Sequence, residues 1–487
     1  MPKNDFQEGS SMHRRCRTDR TPGGRIRRAL LSAACLLAGS LGVGAGAQAA
    51  LPVIPNAAGF GMETPAGRGG TVYRVTNLNA SGAGSLKACV DASGPRVCVF
   101  EVSGTIRMNS ELVIRNPYLT IAGQTAPSPG IMLRGAGIRI KASDVLLQHL
   151  RVRVGDDPSG PDPENRDALM IDVPSSERPI SNIVIDHCSF SWAIDETASV
   201  WGGWDNVTFR NSIFAEPLNE SLHPKGAHGY GIIFGPRDAR ISMIGNLMAH
   251  TVSRNPLSNA TRLVMVNNVI YNWKNMAIDL QGQQSKPTHN SLVGNVFVRG
   301  PDYRSNKPIS LRAGNNRLPA GSKVFVLDNH AEEATDDPWS VVGPLQGSFS
   351  TSEMNGFRAA NPLTWPSGMT AMPTSQEVAL NAILARVGAR PADRDSVDAR
   401  IIEQVKTRTG QIINCVSPNG TARCNKNAGG WPKLAENHRP LELPANPNQV
   451  TESGYTNLEL WLHKMAAEVE GRSGITPHAP VLTTSAH

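Results

Sequence analysis

Between Gln148 and Asn329 the chain rewrites one short phrase, an apolar strand of four or five residues closed by Asn or His and followed by another apolar stretch. The copies are VLLQHLRV around His149, IVIDHCSF around His187, VTFRNSIF around Asn211, ISMIGNLM around Asn246, LVMVNNVI around Asn268, SLVGNVF around Asn295 and VFVLDN ending at Asn329. Each alternates or is rich in β-branched residues, so each reads as a strand. Their spacings of 38, 24, 35, 22, 27 and 34 residues are too irregular for helical repeats. They suit coils that differ only in loop length. Asn at the same point of each copy fits a turn in the left-handed region, where its amide can also bond to the amide of the next coil. The pattern predicts an all-β fold, a right-handed parallel β-helix, over an ordinary β-sandwich.

Composition bears on function only once the first 49 residues are set aside. Arg25, Arg27 and Arg28 precede the apolar run Ala29 to Ala45, and Ala47-Gln48-Ala49 supplies a small-x-small cleavage pattern. Residues 1–49 are therefore expected to be a signal peptide, with the mature chain beginning at Ala50 and exported to the periplasm or beyond the cell. No later apolar stretch reaches the length of a membrane span. The leader holds eight basic and three acidic residues, so +5 of the chain's +7 leaves with it. The mature protein is left near neutrality, and nucleic-acid binding loses its support.

Cysteine usage agrees with an oxidising compartment. Cys89 with Cys98 and Cys415 with Cys424 each flank a short turn and are expected to form disulfides that firm up the caps more than they serve catalysis. Cys188 lies inside an apolar repeat and reads as a buried thiol. Strand-like text from Ala50 to Ala142 supplies an N-terminal cap and first coils, so the β-helix domain is expected over 50–335. An extension over 336–470 carries helical runs at VALNAILARVG (with a Thr374 to Glu377 capping box), Val397 to Val405 and YTNLELWLHKMAAEV. Residues 471–487 read as a disordered tail, and the protein as a monomer.

The chemistry concentrates between Arg151 and Asn259. Asp156, Asp157, Asp162, Glu164, Asp167 and Asp172 fall within 17 residues, followed by Asp186, Asp195 and Glu196. Carboxylates projecting from adjacent coils would make an oxygen-ligand site suited to Ca²⁺. The four set among Pro and Gly read as solvated loop charges, whereas Asp167 and Asp195 border strands. Downstream lie the cations His223, Lys225, His228, His250 and Arg254. Acids on one side and cations on the other suit an anionic substrate bridged by metal.

Ordered motifs add a resemblance. GFG at Gly59, GRGG at Gly67, VTNLNASGAGSLKACV from Val75, VFEVSGTI from Val99, TIAGQTAPSPGI from Thr120, IDHCSFSWAIDE from Ile185 and SRNPLS from Ser253 together resemble the extracellular pectate lyases. The likeness continues through VDARIIEQV and GGWP to YTNLELWL. It implies a β-helix enzyme that cleaves polygalacturonate by β-elimination with Ca²⁺. It implies Asp167, Asp195 and Glu196 as metal ligands and Arg254 as the catalytic base. Lys225 is the implied binder of the substrate carboxylate, with His223 competing for that role. Asp186 and His187 match a structural pair of the wall. Two positions depart from the pattern: Ser199 stands where an aspartate is common, and Asn259 where a second arginine is.

Should an arginine fail as base, His250 or His223 is next in line. Among the aromatics, Trp204 and Tyr230 are expected to meet sugar rings, ahead of Trp192 and Trp201. Two rival functions share the fold. A polygalacturonase-type hydrolase would need paired aspartates for water attack; Asp156-Asp157, His228-Gly229 and Arg139-Ile140-Lys141 are present, but in the wrong order. A non-catalytic polysaccharide-binding β-helix would share the repeats without the ordered acidic and SRNP motifs.

Overall fold

The computed structural model describes residues 51–283, 285–304, 307–362 and 376–472, all within the compact unit Ala50–His487. The expected signal peptide, Thr374 of the expected capping box and nearly all of the expected tail lie outside the described residues. The chain winds a right-handed parallel β-helix of three sheets. The first runs from Thr71–Val75 to Lys323–Leu327, each strand pairing in parallel with the strand one coil on. The second runs from Leu112–Ile114 to Val342–Leu345. The third runs from Gly104–Arg107 to Val296–Val298.

Because strand side chains alternate, every second residue of a repeat points inward and stacks on its counterpart in the next coil. One such column is Cys98, Ile121, Leu147, Ile185, Phe209, Met243, Met265, Leu292 and Val326, matched in register throughout. Each apolar side chain buried here contributes about 1.5–3 kcal/mol. At one end the column is closed by the helix Leu86–Asp91, capped by Ser85 and tied through Cys89–Cys98. At the other it is closed by Trp339, Val341 and Phe357, the last on a short helix Thr351–Phe357 that the sequence reading did not foresee. The final rung, Val342–Leu345, lies past both Asn329, where the sequence pattern stops, and residue 335.

The recurring polar residue proves to be two neighbouring positions. His149, His187 and Asn211 occupy the left-handed turn, with φ of 57°, 47° and 47°. In later coils Gly245, Asn267, Gly294 and Asp328 take that turn, and Asn246, Asn268, Asn295 and Asn329 sit one residue further on. Those four form a ladder. Asn246 Nδ2 donates to Asn268 Oδ1 at 2.9 Å, Asn268 to Asn295 at 2.9 Å, and Asn295 to Asn329 at 2.9 Å, while each acceptor oxygen also takes the backbone N–H of the residue above. The row extends backwards through Ser212 and Cys188, whose N–H groups bond to Asn246 Oδ1 and Ser212 Oγ. Cys188 is fully buried and unpaired, and burial pushes its thiol up to about 12.

The third sheet is apolar on its outer face too, because the C-terminal segment covers it. Helices Gln376–Arg386 and Ser396–Thr407 pack Ala379, Ile383, Val397, Ile401 and Val405 against Ile213, Leu247, Val269 and Val296. Where that face turns polar, Arg153 meets Asp395 at 2.8 Å and Asp398 at 2.7 Å, and Ser189 Oγ donates to Asp398 at 2.7 Å. The helix Asn457–Val469, with a Thr456–Glu459 capping box, lays Leu458 and Leu462 on Val97, Val99 and Ala122 of the first coils. Among the described residues no helix is long and apolar enough to cross a membrane.

Candidate active site

Four consecutive coils deliver their polar residues to one edge of the second sheet. Asp167 sits two residues before Leu169–Val173, Glu196 begins Glu196–Gly202, and Tyr230 pairs with Glu196 on one side and bridges Ser253 on the other. Arg254 therefore arrives two coils beyond Glu196. Its φ of 69° places a long side chain in the left-handed region, a strain of order 1–3 kcal/mol that neighbouring coils must hold.

Asp167, Asp195 and Glu196 bring carboxylate oxygens within 4.8 Å of one another. Asp167 is buried; one oxygen accepts the N–H of Glu196 at 2.9 Å and the other the hydroxyl of Ser199. Burial first, then the charge of Asp195, hold the Asp167 carboxyl well above the usual carboxylate range. A cation between them would remove that penalty, so the donor set fits a hard divalent ion such as Ca²⁺. Ser199 thus orients Asp167, and the serine that breaks the family pattern keeps a place in the site.

Arg254 Nη1 pairs with Glu196 Oε1, and its guanidinium lies 4.1 Å from the centroid of the Tyr230 ring. Burial lowers its pKa to about 10, with Arg312 pushing the same way against Asp195, Asp279 and Asp167. His228 Nε2 lies 2.7 Å from Asp195 Oδ1 and stacks on His223 at 3.7 Å between ring centroids; His223 Nε2 is 3.5 Å from the same oxygen. Lys225 stands at the rim, 68% exposed, paired with Glu164 at 2.7 Å. Its loop rests on the extension: Asn219 N–H bonds to Ile413 O at 2.8 Å and Glu220 N–H to Asn414 Oδ1 at 3.1 Å, beside Cys415–Cys424.

Several expectations shift. His250 is fully buried beside Asn272, Tyr271 and the Glu216–Arg400 pair, away from the acidic edge, so it is no base. Trp204 is 0% exposed and packs inside the coils, whereas Trp201, 43% exposed, lies flat over Gly235, where a Cβ would meet its ring at 2.5 Å. Strand alternation explains the exchange, since Trp201 projects outward from the second sheet and Trp204 inward from the first. Tyr230 is in the site as a support for Arg254. Asp157 and Asp162 cap their own loops, and Asp156 accepts the N–H of Val416, as solvated loop acids do. The sequence reading did not place Asp279 and Arg312, a buried ion pair within electrostatic reach of Arg254; the one signal for it was a carboxylate inside the apolar strand Ile278–Leu280.

Comparison with known proteins gives the family. The chain is 31% identical over 434 residues to a probable pectate lyase C of Aspergillus flavus, spanning 85% of this chain and 94% of that protein. It is 30% identical over 440 residues to a probable pectate lyase C of Emericella nidulans, and 28% identical over 281 residues to pectate lyase 5 of Ambrosia artemisiifolia. No family model matches the chain. A looser likeness joins it to the crystal structure of Jun a 1, the major cedar pollen allergen, with a TM-score of 0.44 and 18% identity over 66% of this chain and 87% of that one. The chain belongs to the pectate lyase family. It is accordingly a polysaccharide lyase.

Proposed function

We propose that the protein is exported and cleaves polygalacturonate by Ca²⁺-assisted β-elimination, with Arg254 as the base. The observation that carries this reading is the meeting of three carboxylates with a buried arginine at one sheet edge. Asp167, Asp195 and Glu196 would hold the ion, which when bound withdraws charge from a uronate carboxylate and so acidifies the proton on C5. Lys225, exposed at the rim, would meet a second substrate carboxylate, whereas His223, buried with its Nε2 3.5 Å from Asp195, supports the acidic edge instead. Arg254 takes the C5 proton, the C4–O bond breaks, and a C4=C5 double bond forms as the departing sugar oxygen is protonated by water. An arginine normally stays protonated; burial moves this one in the direction a base needs, while Asp195, Asp279 and Asp167 favour its charged form in the resting site. Trp201 offers a flat exposed ring to a sugar face.

The hydrolase alternative lacks support, because Asp157 caps its own loop and Asp156 is tied to the N–H of Val416 in the extension. Mature protein incubated with polygalacturonate, with and without Ca²⁺, separates the readings. Elimination yields ultraviolet-absorbing unsaturated ends in step with reducing ends and only with Ca²⁺. Reducing ends without the absorbance would mean hydrolysis, and neither product would mean a binding module. Sequencing the secreted protein from Ala50 checks export, and its mass in solution checks the monomer.

A further inference from the structure

A separate group of metal-ligating side chains lies at the turns between the first and third sheets. His149 and His187 hold the left-handed turn on successive coils, their rings 5.2 Å apart and within 9° of parallel. Glu470, at the C-cap of the helix Asn457–Val469, brings its carboxylate to both. His149 Nδ1 donates to the carbonyl of Ala389 at 2.8 Å, and His187 Nδ1 to Asp186 Oδ1 at 3.0 Å. With both Nδ1 atoms so engaged, each Nε2 of a neutral ring is a bare acceptor. Both face a third acceptor: His149 Nε2 is 3.7 Å from Glu470 Oε1 and His187 Nε2 is 3.6 Å from Oε2. His149 is completely buried, and its Nε2 has no hydrogen-bond partner.

With the rings neutral, three acceptors converge with no donor between them. Against the cost of burial, Asp186 and Glu470 raise the His187 imidazole, so this gap takes a positive charge, a proton on His187 or a bound cation. We propose that His149, His187 and Glu470 form a buried site for a divalent transition metal of zinc-like chemistry, which fastens the end of the C-terminal helix to the wall of the β-helix. Ligand bonds of about 2.0–2.1 Å to a tetrahedral centre place ligand atoms about 3.3 Å apart, close to the spacings found and well beyond a hydrogen bond. The second layer is of the kind that ligating histidines use, one ring N–H to a backbone carbonyl and the other to a carboxylate. Arg472 Nε lies 2.5 Å from Glu470 and Arg210 Nε 3.5 Å from Asp186, so both acids are held ionised, as metal binding requires. Two nitrogens and one oxygen also distinguish this site from the all-carboxylate edge proposed for Ca²⁺. The metal would tilt the parallel rings toward a common point.

The test uses full mature protein refolded in chelator and titrated with Zn²⁺ or Co²⁺ alone. One tight equivalent should bind, with a visible Co²⁺ spectrum of low-symmetry nitrogen and oxygen ligation. The melting temperature should rise by roughly 4 °C at a hundredfold excess over the dissociation constant. Glu470→Gln and His149→Gln should each abolish the equivalent and the rise, while His228→Gln, in the Asp195–His223–His228 group at the acidic edge, should leave both intact. If wild type binds no metal and its melting temperature does not move, a shared proton occupies the site and the proposal fails. It fails equally if His228→Gln removes binding and Glu470→Gln does not.

Discussion

Arg254 is held by three things at once: a left-handed backbone, the face of Tyr230 and the carboxylate of Glu196. If it is the base, Arg254→Ala should lower turnover at saturating substrate by about 10³-fold or more and leave binding of polygalacturonate near wild type. Arg254→Lys should recover little, because lysine keeps the charge without the planar fork. Steady-state kinetics beside equilibrium binding decides, and turnover that survives while binding collapses would make Arg254 a clamp. Asp167 gives a second test. Its folded pKa is raised, so the stability it contributes is present below about pH 4 and is lost as pH rises through the folded value. Asp167→Asn removes that charge, so without metal it should melt higher at neutral pH, while needing more Ca²⁺ for half activity. A lower melting temperature would show a purely structural aspartate. Asp167, Asp195, Glu196, His223 and Arg254 could be named from the sequence because they sit beside strand text in ordered motifs. Ser199 read as a loss and Trp204 as a platform, because neither a hydroxyl's partner nor the face of a strand is written in local sequence.

The asparagine ladder shows what a repeat encodes and what it leaves out. The coils were legible because one chemical need recurs: a left-handed turn followed by an amide bonding to the coils on either side. Aligning His149, His187 and Asn211 with Asn246 blurred two adjacent needs, since Asn serves both. The spacing of 35 between Asn211 and Asn246 is 34 once like positions are compared, Ser212 with Asn246. Asn268, like Asn295, is bonded on both sides of the row: it accepts two bonds from Asn246 and donates to Met243 O and Asn295 Oδ1. Asn268→Ala leaves these groups buried without partners and should cost about 3 kcal/mol or more in denaturant unfolding. Asn267→Gly, at the adjoining turn with φ of 54°, should cost far less. Equal losses would mean that the turn, rather than the ladder, stabilises the coil.

At the scale of the molecule, the C-terminal segment acts on both the wall and the site. The loop bearing His223, Lys225 and His228 leans on Ile413 and Asn414, so Cys415–Cys424 is poised to affect catalysis as well as a cap. Replacing both cysteines with serine should raise KM for polygalacturonate several-fold and lower stability by about 2–3 kcal/mol. Unchanged KM would restore the simpler expectation of a firmed cap. None of this was legible locally, since each contact joins residues roughly two hundred positions apart. Wider separations close the first coils: Arg68 pairs with Glu459, and Tyr455 donates to Pro52 O, across 391 and 403 residues. A ribosome adding about 5–20 residues per second needs roughly 20–80 s to span that gap. Throughout that interval Val97, Val99 and Ala122 have no helix to cover them, so the earliest part of the chain to be made is the last to be finished.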